Sequence, residues 1–292
     1  MVSNPDHAET TTRIVRVGHR DILLNETGNG PPLLMLHGGG PGASGLSNYV
    51  RNIPGLARDF RLLIPDMPGY GGSTKGLDRR DPFGDLADAM RQLLVAVGIG
   101  RAHIVGNSLG GACALRLALD APETVDRLVL MGPGGINTTR SLPTPGPKRL
   151  LDYYAGTGPS REKLRRFIQG DLVYDARDIP DAVIEQRFAA SIDPEVIANP
   201  PLRRPKGWPS MRNLDFTRDP RLSAMAAPTL VLWGQEDRVN RPSGAHTLQR
   251  YLPNCDVYLF SRTGHWVQWE RADMFDAVVR TFLLAPTVEA RT

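Results

Sequence analysis

Gly106-Asn107-Ser108-Leu109-Gly110 stands between a strand-like run and a helix-forming run. Residues 102–105 form the first run and residues 111–115 the second. In this strand–turn–helix setting, a G-x-S-x-G pentapeptide predicts a tight turn that projects the serine hydroxyl above the end of a sheet. The two glycines leave room where a side chain would collide with a neighbouring strand or helix. The pattern therefore predicts that Ser108 is a nucleophile presented to a general base.

Strand-length apolar runs alternate with helix-length amphipathic segments along the chain. Strands are predicted at 13–17, 21–26, 33–37, 61–65, 102–106, 127–131, 229–234 and 256–260. Helices are predicted at 82–97, 109–120, 243–251 and 271–284. Three of the strands are continuously apolar, which is typical of strands covered by helices on both faces. The alternation predicts an α/β fold with a mostly parallel, eight-stranded sheet, whose first two strands form an antiparallel hairpin turning at Gly18-His19.

One segment departs from this alternation. Between residues 137 and 219, proline and glycine interrupt short helical patches at 160–170 and 180–191, and no strand is predicted. An insertion at the carboxyl end of a parallel strand lies over the crevice in which such folds bind ligands. We therefore predict a helical cap at 137–219, a core at 13–136 and 220–286, and a disordered tail at 1–12.

The composition is that of an ordinary globular protein, with 41% hydrophobic and 23% charged residues among 292. The 35 basic residues exceed the 31 acidic ones only slightly, so no nucleic-acid partner is predicted. Cys113 and Cys255 are far apart and have no metal-ligand spacing. No signal peptide is evident, and no apolar run approaches the roughly 20 residues that span a bilayer. We expect a cytoplasmic protein without a metal or a membrane partner.

A serine nucleophile requires a histidine base and a carboxylate that orients the histidine. Of the six histidines, His265 follows the last predicted strand and precedes the final helix, so its loop can reach the carboxyl edge of the sheet. Asp237 follows strand 229–234 through a short turn and reaches the same edge, with Glu236 as its nearest rival. The chain order of serine, acid and histidine is the one expected for such a fold. Ser108, Asp237 and His265 are therefore the predicted catalytic residues.

The run His37-Gly38-Gly39-Gly40-Pro41-Gly42 follows a predicted strand and is the candidate oxyanion loop. A phosphate cradle is the alternative, but the run has no Gly-Lys-Ser/Thr ending and its spacing does not fit G-x-G-x-x-G. In the oxyanion interpretation, the residue after the nucleophile, Leu109, supplies one backbone N–H and the glycine loop supplies the other. We predict Gly39 as that second donor, and His37 as structural support rather than as the base.

Four stretches together are more specific than the serine turn alone, and they resemble the meta-cleavage-product hydrolases, carbon–carbon bond hydrolases of the α/β-hydrolase superfamily. These stretches are His37–Ala43 with Ser47-Asn48-Tyr49, Gly106–Gly111, Gly234–Arg238 and Gly264–Gln268. The resemblance extends from about residue 13 to residue 284 and is weakest in the cap. It implies a small anionic substrate, a 2-hydroxy-6-oxohexa-2,4-dienoate made by ring-opening of a catechol. The dienol is ketonised and water then cleaves the C5–C6 bond, giving 2-hydroxypenta-2,4-dienoate and a carboxylic acid.

The resemblance also implies which residues bind the substrate. Asn48, Asn107 and Trp266 would hold the dienoate end, and Gly40 of the glycine run is grouped with them. A cap arginine binds the carboxylate in this family, and Arg187 resembles that residue. A planar guanidinium suits the role because it binds a carboxylate through two hydrogen bonds. The family is usually homodimeric or larger, and the resemblance implies no cofactor.

Other functions fit part of the same pattern. A carboxylesterase or thioesterase would use the same three catalytic residues but would not need Asn48, Arg187 and Trp266. An epoxide hydrolase or dehalogenase would need an aspartate at position 108, and a catalytically silent receptor would not need all three catalytic residues. Phenyl, alkyl and larger ring substituents at C6 are all compatible with the sequence. So are an acyl-enzyme at Ser108 and direct attack by water.

Overall fold

The computed structural model describes residues 10–142, 144–204 and 207–286, and its eight strands form one sheet in the order β1-β2-β4-β3-β5-β6-β7-β8. The strands are β1 (Thr11–Val17), β2 (Arg20–Thr27), β3 (Pro32–Leu36), β4 (Arg61–Pro65), β5 (Ala102–Asn107), β6 (Val125–Met131), β7 (Thr229–Gly234) and β8 (Cys255–Phe260). β3 to β8 pair in parallel, whereas β2 is antiparallel to both β1 and β4. The predicted eight-stranded sheet and its edge hairpin are confirmed.

Helices connect the strands and cover both faces of the sheet. Within the described ranges the α-helices are α1 (Gly45–Tyr49), α2 (Ile53–Leu56), α3 (Pro82–Ala96), α4 (Leu109–Asp120), α5 (Pro145–Asp152), α6 (Arg161–Phe167), α7 (Asp181–Ser191), α8 (Pro194–Ala198), α9 (Gly207–Asn213), α10 (Ser243–Tyr251), α11 (Val267–Glu270) and α12 (Ala272–Leu284). A π-helical turn, Ile168–Leu172, continues α6. The helix α3 begins where the Asp81 side chain accepts a hydrogen bond from Gly84 N and Pro82 takes the first helical position.

Alternation along β3 shows how the sheet is buried on both sides. Leu34 and Leu36 pack into the core layer formed with α3, α4 and α10. Leu33 and Met35 pack into the opposite layer, which α12 helps to form. Successive side chains of a strand point to opposite faces, so a strand between two helical layers is apolar throughout. This arrangement fixes the carboxyl ends of β3, β5, β6 and β7 along one edge.

Two predicted boundaries are wrong. β1 begins at Thr11, which pairs with Glu26, so the predicted disordered tail at 1–12 is too long; residues 1–9 lie outside the described part of the chain. The first residues of this edge strand are exposed, so the sequence carries no apolar signal there. Phe216 stacks on Phe83 of α3 with ring centroids 5.5 Å apart and belongs to the core, so the predicted end of the cap at 219 is too late.

The cap is helical, as its punctuated sequence predicts. Helices α5 to α9 and the π-helical turn lie between β6 and β7, and the described residues of 137–219 include no strand. Tyr153, Phe167, Ile184 and Phe188 share a small apolar cluster with Trp266 of the core. The cap is therefore packed directly onto the sheet edge where the predicted catalytic residues lie.

Candidate active site

The turn between β5 and α4 holds Ser108 in an unusual backbone conformation, with φ 53° and ψ −109°. A Cβ added to Gly106 would overlap Gly110 O, and one added to Gly110 would overlap Leu36 O. Only glycine therefore fits two residues before the serine and two residues after it. Positive φ at a residue other than glycine costs on the order of 1–3 kcal/mol and is found where a side chain has to be aimed. The turn aims Ser108 into the cavity beneath the cap.

His265 and Asp237 form a buried pair at the same sheet edge. The distance from His265 Nδ1 to Asp237 Oδ2 is 2.7 Å. The Asp237 carboxylate accepts a hydrogen bond from Nδ1–H, so Nε2 is the unprotonated nitrogen of the neutral imidazole. This Nε2 has no hydrogen-bond partner among the described residues. His265 and Ser108 line the same cavity. The arrangement is suited to a base that takes a proton from Ser108 or from a water, once substrate tightens the site.

Asp237 is held by three further hydrogen bonds that the sequence analysis did not identify. Its Oδ1 accepts from the backbone N–H of Val239 and of Asn240, at 2.7 and 2.8 Å. Its Oδ2 also accepts from Trp233 Nε1 at 2.9 Å. A carboxylate that accepts hydrogen bonds from the backbone two and three residues further along the chain forms an Asx turn, which is common for an aspartate in a loop. These bonds fix the carboxylate that orients the His265 ring.

The loop that carries His265 is tied to its surroundings by glutamates. Glu236 Oε2 accepts from Thr263 N, and Glu270 Oε1 accepts from Gly264 N, both at 2.9 Å. Glu236, the rival to Asp237 in the sequence analysis, thus contacts the backbone of this loop, while Asp237 contacts the imidazole. The sequence analysis did not identify Glu270, and no local motif marks its contact with Gly264.

Gly39 lies beside the serine turn. A Cβ added to Gly39 would lie 3.0 Å from Leu109 Cδ2, and Gly39 lines the cavity together with Ser108. Leu109 is the first residue of α4, so its N–H has no acceptor within the helix. Two backbone N–H groups next to a nucleophile can stabilise the negative oxygen of a tetrahedral intermediate.

Two buried side chains hold the glycine loop in place. His37 Nε2 accepts from Met67 N, which leaves Nδ1–H to donate to Gly38 O, both at 2.9 Å. Burial lowers the pKa of His37, so the neutral imidazole that these bonds require is favoured. Tyr70 Oη donates to Gly39 O at 3.1 Å. His37 is thus a support of the loop, as expected, and Tyr70 is a second support that the sequence analysis did not identify.

Asn48, Asn107 and Trp266 line one wall of the cavity. Trp266 Nε1 donates to Asn48 Oδ1 at 3.2 Å, which leaves the Nδ2 of Asn48 without a hydrogen-bond partner in the described residues. Asn107 Nδ2 makes only two long contacts, with the carbonyl oxygens of Met131 and His265 at 3.4 Å. Amide donors with weak or missing partners can hydrogen-bond an oxygen-rich ligand in this cavity.

Arg187 brings a buried positive charge from the cap. Its residue surface is 2% exposed, its Nε donates to Pro41 O at 3.0 Å, and its guanidinium lies 5.4 Å from the Trp266 ring centroid. Burial lowers the pKa of Arg187 to about 10, so the group stays charged at neutral pH. In the ranges that the structure describes, no carboxylate pairs with it. A Cβ added to Gly40 would lie 2.6 Å from its Nη2, so the glycine loop approaches it closely.

The rest of the cavity wall is apolar, and the sequence analysis did not identify it. This wall consists of Leu150, Phe167, Leu172 and Val239. The first three belong to the cap, where helical periodicity indicates burial but not the cavity that a side chain faces. Eight of the ten predicted site residues also line the cavity: Gly39, Gly40, Asn48, Asn107, Ser108, Arg187, His265 and Trp266. Asp237 lies behind His265, and Leu109 lies beside Gly39.

The described residues contain neither a metal-binding cluster nor a membrane-spanning helix. No three His, Cys, Asp or Glu side chains in these ranges are grouped so that they could hold a metal ion. No helix in the same part of the chain is both long and apolar enough to cross a membrane.

Comparison with known proteins agrees with this geometry. Residues 31–159 match the family model of the alpha/beta hydrolase fold. The chain is 38% identical to 2-hydroxy-6-oxo-6-phenylhexa-2,4-dienoate hydrolase of Burkholderia cepacia, over 94% of this chain and 96% of that protein. It is 37% identical, with the same coverage, to 2-hydroxy-6-oxononadienedioate/2-hydroxy-6-oxononatrienedioate hydrolase of Comamonas testosteroni.

Among solved structures, a mutant of the meta-cleavage product hydrolase from Pseudomonas fluorescens IP01, complexed with acetates, is similar to this chain with a TM-score of 0.80. The two share 29% sequence identity, and the match covers 96% of this chain and 98% of that one. The similarity to these hydrolases therefore extends over 94–96% of the chain. The chain belongs to the meta-cleavage-product hydrolases of the α/β-hydrolase superfamily.

Proposed function

We propose that this protein hydrolyses the C5–C6 bond of a 2-hydroxy-6-oxohexa-2,4-dienoate to 2-hydroxypenta-2,4-dienoate and a carboxylic acid. The observation that carries the proposal is Arg187, a buried guanidinium without a carboxylate partner in the described residues, in the cavity that Ser108 and His265 also line. A buried charge is costly unless it is paired, so this cavity favours an anionic ligand. The relatives of 37–38% identity are named for dienoate substrates, which supports the same function.

The carboxylate end of the dienoate binds Arg187 in this proposal. Its Nε is already bonded to Pro41 O, so the two terminal nitrogens are the donors available to the substrate. Asn48 Nδ2 donates to an oxygen of the same end, because its own Oδ1 is occupied by Trp266. The Trp266 ring packs against the planar conjugated chain.

Catalysis then needs one proton transfer before the bond is cleaved. The 2-hydroxy group loses its proton and C5 gains one, which converts the dienol to a ketone and leaves C6 an ordinary ketone. His265 Nε2 is the group that moves these protons, because Asp237 fixes the imidazole through Nδ1. Without this step the carbon leaving group would be poor.

Bond cleavage follows when a nucleophile adds to C6. Either the Ser108 hydroxyl or a water oriented by it adds, and its proton goes to His265. The N–H groups of Gly39 and Leu109 stabilise the negative charge that develops on the C6 oxygen. The C5–C6 bond breaks as its electron pair moves through the conjugated chain to the C2 oxygen, which is reprotonated. If water has added, the C6 fragment leaves directly as the carboxylic acid. If Ser108 has added, the C6 acyl group stays as an ester on Ser108, and a water that gives its proton to His265 hydrolyses this ester to the carboxylic acid and the free serine.

We also propose that the C6 substituent is apolar, an aryl or alkyl group. The cavity wall formed by Leu150, Phe167, Leu172 and Val239 offers no hydrogen-bonding side chain. A carboxylate placed against such a wall would lose its hydration without gaining a partner. This wall favours a phenyl or alkyl substrate over a dioate such as the one in the name of the Comamonas testosteroni relative.

The test is a substrate series that varies only the C6 group, with phenyl, methyl and carboxyethyl dienoates. Hydrolysis is monitored as the loss of the yellow dienolate colour. We expect rapid bleaching of the phenyl and methyl compounds, and a kcat/KM at least about tenfold lower for the carboxyethyl compound. p-Nitrophenyl acetate measures simple ester hydrolysis in the same preparation. Efficient ester turnover without bleaching of any dienoate would identify an esterase and reject the proposal.

We propose, from the resemblance, that the protein is a homodimer or larger homo-oligomer and acts in the cytoplasm. Analytical ultracentrifugation of the purified chain tests the first point, and a single monomeric species would contradict it. Cell fractionation with activity measured on the phenyl dienoate tests the second.

A further inference from the structure

The π-helical turn of the cap ends directly on the loop that carries the base. The carbonyl oxygen of Leu172 accepts from His265 N at 2.8 Å and from Trp266 N at 3.1 Å. The last carbonyls of a helix have no donor partner inside it, so this one is available for both N–H groups. π-helical turns occur frequently at functional sites. The backbone of His265 is thereby set by the cap as well as by the sheet.

Glu270 joins the same two segments through its side chain. Its Oε1 accepts from Gly264 N at 2.9 Å, and its Oε2 accepts from Tyr174 N at 2.7 Å. Gly264 immediately precedes His265, and Tyr174 lies two residues after the π-helical turn. The segments are in close contact, since a Cβ added to Gly264 would lie 2.8 Å from Tyr174 N. One oxygen of the carboxylate therefore accepts a hydrogen bond from the His265 loop and the other accepts one from the cap.

We propose that Glu270 is a positioning residue for His265, because its carboxylate clamps the cap segment 172–174 to the loop that carries the base. This inference rests on the role of His265 in the proposed function. Glu270 itself lines no part of the cavity, so it acts through His265 and not on the substrate.

The charges near Glu270 indicate that the clamp is maintained at an electrostatic cost. Burial raises the pKa of Glu270 to about 7, the Asp178 carboxylate raises it further, and the N–H groups of Tyr174 and Gly264 lower it. Among the ion pairs of the described residues, no cation pairs with Glu270. An apolar side chain at this position would leave both N–H groups without this acceptor. A carboxylate supplies two acceptor oxygens, one for each of these N–H groups.

Glu270→Gln is the decisive substitution because it keeps the shape of the side chain. One amide oxygen can accept from one N–H group, but the amide nitrogen would face the other N–H donor, so one of the two bonds is lost. Glu270→Asp is the second variant, since its shorter side chain reaches only one segment. Glu195→Gln, on an exposed glutamate of α8 in the cap, is the matched control.

The measurements are kcat and KM on the phenyl dienoate and on p-nitrophenyl acetate, the melting temperature, and hydrogen exchange of peptides covering 168–178 and 262–268. We expect kcat of Glu270→Gln to fall about tenfold or more on both substrates, because a misplaced base slows each reaction. We expect the KM for the dienoate to stay within about twofold, because Arg187 and Asn48 are untouched. Exchange should quicken in both peptides, and Glu195→Gln should match the parent protein.

An unchanged kcat in Glu270→Gln and Glu270→Asp would overturn the inference, as would a fall in kcat that merely follows a lower melting temperature. Different results would contradict the proposed function and the role of Glu270. If the parent protein hydrolyses the ester but no dienoate, the proposed function fails, while ester kcat and hydrogen exchange still decide the role of Glu270.

Discussion

The sheet side and the cap side of the cavity differ in what they contribute. The sheet edge supplies Ser108, His265 and Asp237, each placed by the end of a strand and fixed by backbone hydrogen bonds. The cap supplies one buried charge, Arg187, and apolar side chains. In the proposed function, the sheet side attacks the substrate carbonyl, whereas the cap side selects the kind of substrate. Reaction competence and substrate choice are therefore separable, and mutations on the two sides should have different signatures.

The largest effect is expected on the sheet side. Ser108→Ala should lower kcat by about a thousandfold or more on the dienoate and on the ester, because both reactions lose the same hydroxyl. KM for the dienoate should change little, since the groups that hold its carboxylate remain. Steady-state rates on both substrates provide the measurement, with the exposed Ser141→Ala as control. If ester hydrolysis survived while dienoate hydrolysis was lost, the two sides would not be separable in this way.

On the cap side, Arg187→Ala should lower kcat/KM for the dienoate by about a hundredfold, because the substrate carboxylate would be buried without a partner. Hydrolysis of neutral p-nitrophenyl acetate should stay within about threefold, since that substrate has no carboxylate to anchor. Arg166→Ala, on the neighbouring helix α6, removes an exposed arginine as the control. Equal losses on the two substrates would show that Arg187 supports the fold of the cap and does not select the substrate.

The smallest effect is expected away from both sides, at Asp276 of α12. It is buried, it accepts from Asn52 Nδ2 at 3.0 Å, and burial raises its pKa to about 7. Because this pKa lies above the unfolded value of 3.8, the folded chain binds the proton more tightly, and stability is lost as the pH rises from about 4 to 7. Asp276→Asn removes this titration.

Between pH 5 and pH 8, the free energy of unfolding should therefore fall by about 2 kcal/mol less in Asp276→Asn than in the parent protein. Urea unfolding at the two pH values measures this difference, and the dienoate kcat should be unchanged at both. Glu195→Gln, on an exposed glutamate of α8, serves as the control, because Asp273 of the same helix itself contributes to the raised pKa of Asp276. Parallel pH dependence in the parent protein and Asp276→Asn would contradict the shifted pKa.

The sequence predicts that the sheet-side residues lie at one edge because the signals for their positions are local. Ser108, Asp237 and His265 each follow a buried apolar strand within a few residues, and the carboxyl ends of parallel strands meet at one edge. The strand β1 was predicted two residues short because an exposed edge strand carries no apolar alternation at its start. Phe216 was assigned to the cap because a single buried aromatic ring has no periodicity that reveals its partner.

The cap side was harder to predict because its contacts join distant parts of the chain. The apolar pattern of the cap indicates that Leu150 and Phe167 are buried, but not that both face Ser108. The bond from Tyr174 N to Glu270 joins residues 96 positions apart, and no spacing within either segment encodes it. Arg187 was found through a resemblance, since one arginine among many has no physical mark of its own in the sequence.

The double acceptance by Leu172 O has a consequence for how such proteins diversify by recombination. The backbones of Leu172 and His265 are joined without any side chain, so point mutations in either segment leave the joint intact. A chimera that takes its cap from a relative keeps this joint only if the incoming backbone carbonyl meets the His265 loop in the same position. We therefore expect a cap exchange to be more productive when segment 264–270, which contacts residues 172–174, is transferred together with the cap.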